Sequence, residues 1–177
     1  MKGLLKNPLI RFIIYATSLY LLWYVLYEFY LKINTKFDDL VIDNLVFLTK
    51  KTLHLLGYNL VSYSETAFQN VVQIEDSLGV TVGAPCDGIV LLALFTVFII
   101  SFPGPWKHKL WFLPLGLIAV HLINVIRIVS LAIIVDINPA WLDFNHDYTF
   151  TIFVYAFVFF LWYIWVNRFS PLKKPNK

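Results

Sequence analysis

Apolar residues run almost unbroken through four stretches, 12–31, 89–102, 110–135 and 148–166. The longer runs match a helix crossing the roughly 30 Å hydrocarbon core of a bilayer, and the 89–102 run is extended by the residues just before it. The one long stretch of mixed polarity, residues 32–85, lies between the first two. Within it Leu40, Val41, Leu45, Leu48 and Leu55 recur near helical spacing. That pattern predicts a helix over 37–56, with Gly57 as its C-cap and its apolar face on the bilayer or on other helices. Two short β-type runs, 71–75 and 80–82, flank the turn Asp76-Ser77-Leu78-Gly79 and predict a hairpin. Its second strand delivers the chain to Gly83-Ala84-Pro85-Cys86-Asp87-Gly88. Pro103-Gly104-Pro105 ends the second apolar run, and residues 136–147, with three aspartates, read as a loop before the fourth.

The expected fold is therefore an all-α polytopic membrane protein in a single membrane-embedded domain, 1–177. It has about four transmembrane helices, at about 10–31, 87–102, 110–135 and 148–167. A small extracytoplasmic helix and β-hairpin, residues 32–85, lie between helices 1 and 2. Composition agrees: 59% of residues are apolar and 18% aromatic, and the mean hydropathy is +0.72. The first run is too long for a typical signal-peptide core, and no small-x-small cleavage site follows it.

Charge adds orientation. Lys2, Lys6 and Arg11 precede the first run, Lys107 and Lys109 sit in the turn after the second, and Arg168, Lys173, Lys174 and Lys177 follow the last. The positive-inside rule puts all three clusters, and both termini, on the cytoplasmic side. Residues 32–85 and the acidic 136–147 segment then face outward. No nucleic-acid motif is present, so no nucleic-acid partner is expected. The four histidines do not form a metal-ligand spacing, and no cofactor or metal is expected either.

Candidate chemistry centres on Cys86, the only cysteine, which excludes an intrachain disulfide. Placed where a helix begins, its thiolate should be favoured by unpaired backbone N–H groups and the helix dipole. Arg127 lies inside the third run, where an unpaired charge is costly, and Asn124 is one helical turn away on the same face. His121 continues that face as a buried hydrogen-bonding residue. At 1.5 Å per residue, Cys86, Arg127 and His146 stand roughly 24, 26 and 30 Å above the cytoplasmic ends of their runs. They share one layer near the outer edge of the membrane. A thiolate nucleophile, an imidazole to move the proton and a guanidinium beside the oxyanion are the parts of acyl transfer. Each has a plainer reading as well: an inert packing cysteine, an arginine in a structural ion pair, a histidine capping its helix.

The order Ala84-Pro85-Cys86-Asp87-Gly88, Asn124-x-x-Arg127-Ile128 and His146, with intervening spans, resembles the exosortase/archaeosortase family over roughly residues 83–166. The short chain and the Cys-Asp-Gly form are most similar to its exosortase F subgroup. The resemblance implies a membrane-embedded cysteine protease and transpeptidase of the bacterial cytoplasmic (inner) membrane, a hydrolase with sortase-like protein-sorting chemistry on an unrelated fold. Its partners would be membrane-anchored proteins carrying a C-terminal transmembrane sorting signal, membrane lipid, and an extracytoplasmic acceptor. Carried over by residue, Cys86 is the nucleophile, Arg127 the transition-state stabiliser and His146 the general acid/base. Asn124, Asp87 and Asn145 are supporting or substrate-binding residues. Asp87 could orient His146 or neutralise Arg127, and the sequence leaves both open. Two rival functions predict different behaviour: a non-catalytic assembly factor would tolerate Cys86→Ser, and a small transporter using the Asn124/Arg127 face would keep its flux after thiol blocking.

Overall fold

The computed structural model describes residues 7–61 and 70–171. Lys2, Lys6, Lys173, Lys174 and Lys177, used above for orientation, lie outside the described residues. The chain is mostly helical: α1 (Pro8–Leu26), α2 (Phe37–Leu55), α3 (Ile89–Ser101), α4 (Trp106–Ile137) and α5 (Phe150–Arg168), with β1 (Val71–Val72) and β2 (Val80–Thr81) between α2 and α3. Three helical stretches are long and apolar enough to cross a membrane: Pro8–Leu31, Trp106–Ile137 and Pro139–Arg168. The second expected span folds as the shorter α3, whose 13 residues reach only about 20 Å.

The helix ends follow local chemistry. Asn7 caps α1, its side chain accepting from the Leu9 N–H, with Pro8 in the first turn. A π-helical turn, Tyr27–Leu31, carries the helix onward to Asn34. The expected 136–147 loop is not a loop. Helix α4 continues to Ile137, and only Asn138 leaves helical geometry, its side chain accepting from the Ala140 N–H. Asn138-Pro139 is a start signal that outweighs the acidic composition, and the chain stays helical through Pro139–Trp141, Leu142–Phe144 and a π-helical turn, Asn145–Thr149, into α5.

The chain divides into two compact units. One comprises Met1–Thr35, Ile89–Val120 and Ala156–Lys177. Aromatic rings fill it. Phe98 stacks on Trp162 with centroids 4.3 Å apart, and Phe12 packs edge-on against Phe98 and Phe102. Phe112 meets Phe95, Trp165 and Phe169. Lys109 is buried here: its ammonium donates to the Ile100 carbonyl at 2.6 Å, capping the end of α3, and lies 4.8 Å from the Trp106 ring.

The other unit comprises Lys36–Gly88 and His121–Tyr155. Helix α2 forms where the periodicity placed it, and Gly57 follows it with φ 89°. Its buried apolar residues Ile42, Leu45, Val46 and Leu53 share one core with Val72, Ile74, Val80 and Val82 of the hairpin region and with Val125, Ile128 and Leu131 of α4. The hairpin is antiparallel, with Val71 opposite Thr81 and Val72 opposite Val80, and Leu60 bridges to Ile74 on its other side. Cys86 belongs to this same core cluster.

Candidate active site

All of the candidate site residues fall within this second unit. The hairpin is what brings the cysteine in. The Val82 N–H donates to the Asn70 carbonyl at 2.8 Å and the Asn70 side chain donates to the Val82 carbonyl at 2.8 Å, fixing the exit of β2. The chain then makes a single 3₁₀ turn, Ala84–Cys86, closed by a bond from the Cys86 N–H to the Gly83 carbonyl at 2.8 Å. Gly88, with φ 78°, redirects the backbone into α3. Cys86 thus stands before the helix, separated from Ile89 by a left-handed residue, and its own N–H is already used.

That placement overturns the expected thiolate stabilisation by a helix N-terminus. Cys86 is 8% exposed. Burial pushes its thiol above the ordinary value, while the Arg127 guanidinium and a hydrogen bond from the Gly83 backbone to the sulfur pull it back and the carboxylates of Asp87 and Asp147 push it further up. A thiol held up in this way loses its proton more readily to a neighbouring base than to water.

An imidazole is in contact with it. Cys86 Sγ lies 2.8 Å from Nε2 of His146, and Nδ1 of the same ring lies 2.8 Å from Oδ1 of Asp147. With Nδ1–H donating to the carboxylate, Nε2 is the acceptor for the thiol proton. The π-helical turn presents this pair. The His146 carbonyl accepts from the Thr151 hydroxyl at 3.0 Å and, at a longer 3.5 Å, from Nη2 of Arg127. π-Helical turns inside α-helices recur at functional sites.

Arg127 is 6% exposed, and its Nε is buried with no hydrogen-bond partner among the described residues. No ion pair ties its guanidinium to a carboxylate among the described residues. A buried donor left open in this way is costly unless something else uses it. Asn124, 1% exposed, donates from Nδ2 to the Cys86 carbonyl at 2.7 Å.

The remaining candidates behave differently. Asp87 is 3% exposed, and among the described residues the side-chain bonds of His146 go to Cys86 and Asp147 and that of Arg127 to the His146 carbonyl. The carboxylate on the imidazole is Asp147, the residue next to it in sequence, and neighbourhood was its only signal. Asn145 donates back to the Trp141 carbonyl at 2.9 Å, within its own helix, and bonds none of the three central residues. His121 pairs with Asn44 of α2 at 2.8 Å, as its reading as a hydrogen-bonding residue anticipated, though it is half-buried. Among the described residues no cluster of acidic, histidine and cysteine side chains could hold a metal.

No curated protein and no solved structure matches the chain. The family model of transmembrane exosortases does match, over residues 10–164, a range that contains all the residues of this cluster. With nearly the whole chain covered, the protein belongs to the transmembrane exosortase family.

Proposed function

We propose that this protein is a membrane-embedded cysteine transpeptidase that cleaves C-terminal sorting signals of exported proteins through a thioester. Family membership supports a membrane enzyme that processes sorting signals. The observation that carries the chemistry is the 2.8 Å contact between Cys86 Sγ and His146 Nε2.

In the proposed reaction the Cys86 thiol gives its proton to Nε2 as sulfur attacks the scissile carbonyl carbon. The carbonyl oxygen takes up the negative charge, and the Arg127 guanidinium stabilises it. The C–N bond then breaks, His146 returns the proton to the departing amine, and the tail leaves. A water or an acceptor amine attacks the thioester, losing its proton to His146, and Cys86 is restored by taking that proton back. Asn124 holds the Cys86 backbone in place. Burial of the thiol supports a mechanism in which the proton leaves during attack rather than beforehand.

The same reading puts the protein in a bacterial inner membrane with both termini cytoplasmic, four membrane-crossing segments including α3, and Cys86 near the outer face. Lys107 and Lys109 at the start of α4 support that orientation. The Cys-Asp-Gly form supports placement in the exosortase F subgroup.

The test is a Cys86→Ala replacement in the native organism, followed by mass spectrometry of C-terminal peptides from the membrane fraction. Exported proteins should accumulate with an uncleaved hydrophobic tail and basic end. Normal processing in the variant would overturn the reading.

A further inference from the structure

We infer that Asp147 is a positioning residue: its carboxylate holds the His146 ring in the Nδ1–H tautomer, leaving Nε2 free to take the Cys86 proton. The inference rests on the proposed thiol chemistry. Two contacts to the one ring carry it, with Oδ1 of Asp147 2.8 Å from Nδ1 and Nε2 2.8 Å from Cys86 Sγ.

A free neutral imidazole has no fixed tautomer, and with the proton on Nε2 it could only donate toward the sulfur. Apart from the thiol itself, no other side chain among the described residues bonds the ring and could select the tautomer. His146 has two side-chain hydrogen bonds, one to Cys86 and one to Asp147, and its further bonds, from Thr151 and Arg127, are to its backbone carbonyl. The Thr151 and Arg127 contacts fix where the ring is attached but not which nitrogen is protonated. The backbone supplies the geometry. Consecutive residues of an α-helix point about 100° apart, so a side-chain bond between neighbours needs local help. The pair lies in the π-helical turn Asn145–Thr149, where the backbone departs from that spacing.

Asp147 is on the solvent side of the ring, its side chain 63% exposed against 28% for His146. Solvent weakens the charge interaction, so the effect on rate is set below that of a buried carboxylate. During attack the proton moves from Sγ to Nε2. The Nδ1 proton stays on the ring, Asp147 stays ionised, and the imidazolium gains a neighbouring negative charge.

The test uses the full chain, labelled with ¹⁵N-histidine in detergent micelles at alkaline pH. Its four histidines are assigned by single substitutions. Wild-type His146 should show the Nδ1–H signature. Asp147→Ala should shift it to the Nε2–H form, and Asp147→Glu should restore part of the Nδ1–H population. In cells, Asp147→Ala should slow tail removal by about tenfold. An unchanged tautomer in Asp147→Ala would overturn the inference, as would normal tail removal in that variant while His146→Ala blocks it. If His146→Ala itself processed tails normally, the thiol–imidazole reading would fail first and the role of Asp147 would fall with it.

Discussion

The side-chain amide of Asn124 donates to the main-chain carbonyl of Cys86 across 2.7 Å, joining α4 to the turn that carries the thiol. Both residues are buried. Removing the donor strands a buried carbonyl, at a cost of about 1–3 kcal/mol. Asn124→Ala should therefore lower the thermal midpoint measured by fluorescence-detected size exclusion. Asn124→Asp, nearly the same shape but with no donor when ionised, should be no better. A midpoint equal to wild type in both would show that this bond does not hold the turn.

Gly88 is fitted to the same contact. Its φ is 78°, and a Cβ there would come within 3.0 Å of Asn124 Nδ2. An L-residue in left-handed geometry costs roughly 1–2 kcal/mol before any clash is counted. Gly88→Ala should thus destabilise as much as Asn124→Ala and also slow Cys86 alkylation or tail removal, because the turn moves with the amide. The two substitutions share one contact, so their combined loss should be smaller than the sum.

The thiol's pH response has a defined sign. Alkylation by iodoacetamide follows the thiolate, and burial raises Cys86 above the ordinary value of 9.0. The rate should climb through a midpoint above that value in wild type. Arg127→Gln removes the largest opposing influence and should move the midpoint further up, whereas Asp87→Asn removes a smaller adverse charge and should move it down. Because Cys86 is the only cysteine, the whole-protein label reads this one site. A midpoint below the ordinary value would mean that the thiol is not desolvated as the structure has it.

The residues that meet in this cluster were legible because each is out of place in its surroundings. An arginine and an asparagine inside an apolar run, and a lone cysteine in a Gly- and Pro-bounded turn, have few bland explanations. Helix α2 and the hairpin were equally readable from their periods of about 3.6 and 2. What could not be read depended on single-residue backbone geometry. Gly88 in left-handed conformation puts Cys86 outside α3, and burial raises the thiol that the helix end was expected to lower. The π-helical turn Asn145–Thr149 holds both His146 and Asp147, the carboxylate that meets the imidazole. The aspartates of residues 136–147 read as a loop by composition, although Asn138-Pro139 carried a helix-start signal.

Orientation is testable by cysteine access. In a Cys86→Ser background, Leu78→Cys places a thiol at a position 77% exposed beside the hairpin turn, and Lys107→Cys places one at an exposed position in the first turn of α4. With basic residues held inside, a membrane-impermeant maleimide applied to intact spheroplasts should label the first and not the second. Lysis should expose both. Labelling of Lys107→Cys alone in intact spheroplasts would invert the proposed topology and put the Cys86 chemistry on the wrong side for exported proteins.

Gly116 of α4 faces the ring of Phe95, and a Cβ at Gly116 would overlap that ring. Two opposing effects decide what Gly116→Ala does. Helix propensity favours alanine by about 1 kcal/mol, whereas overpacking a filled interior costs about 1–3 kcal/mol. Phe95 is fully buried among Phe112 and its neighbours, so the ring has nowhere to retreat and the loss should win. Thermal melts should show Gly116→Ala as destabilised. Phe95→Leu alone should also be destabilising, since it vacates buried volume. In the Gly116→Ala background, however, the smaller side chain relieves the overlap and should cost less than it does in wild type. Strict additivity of the two losses would show that α3 and α4 can part without penalty at this crossing, and that glycine is not required there by the ring.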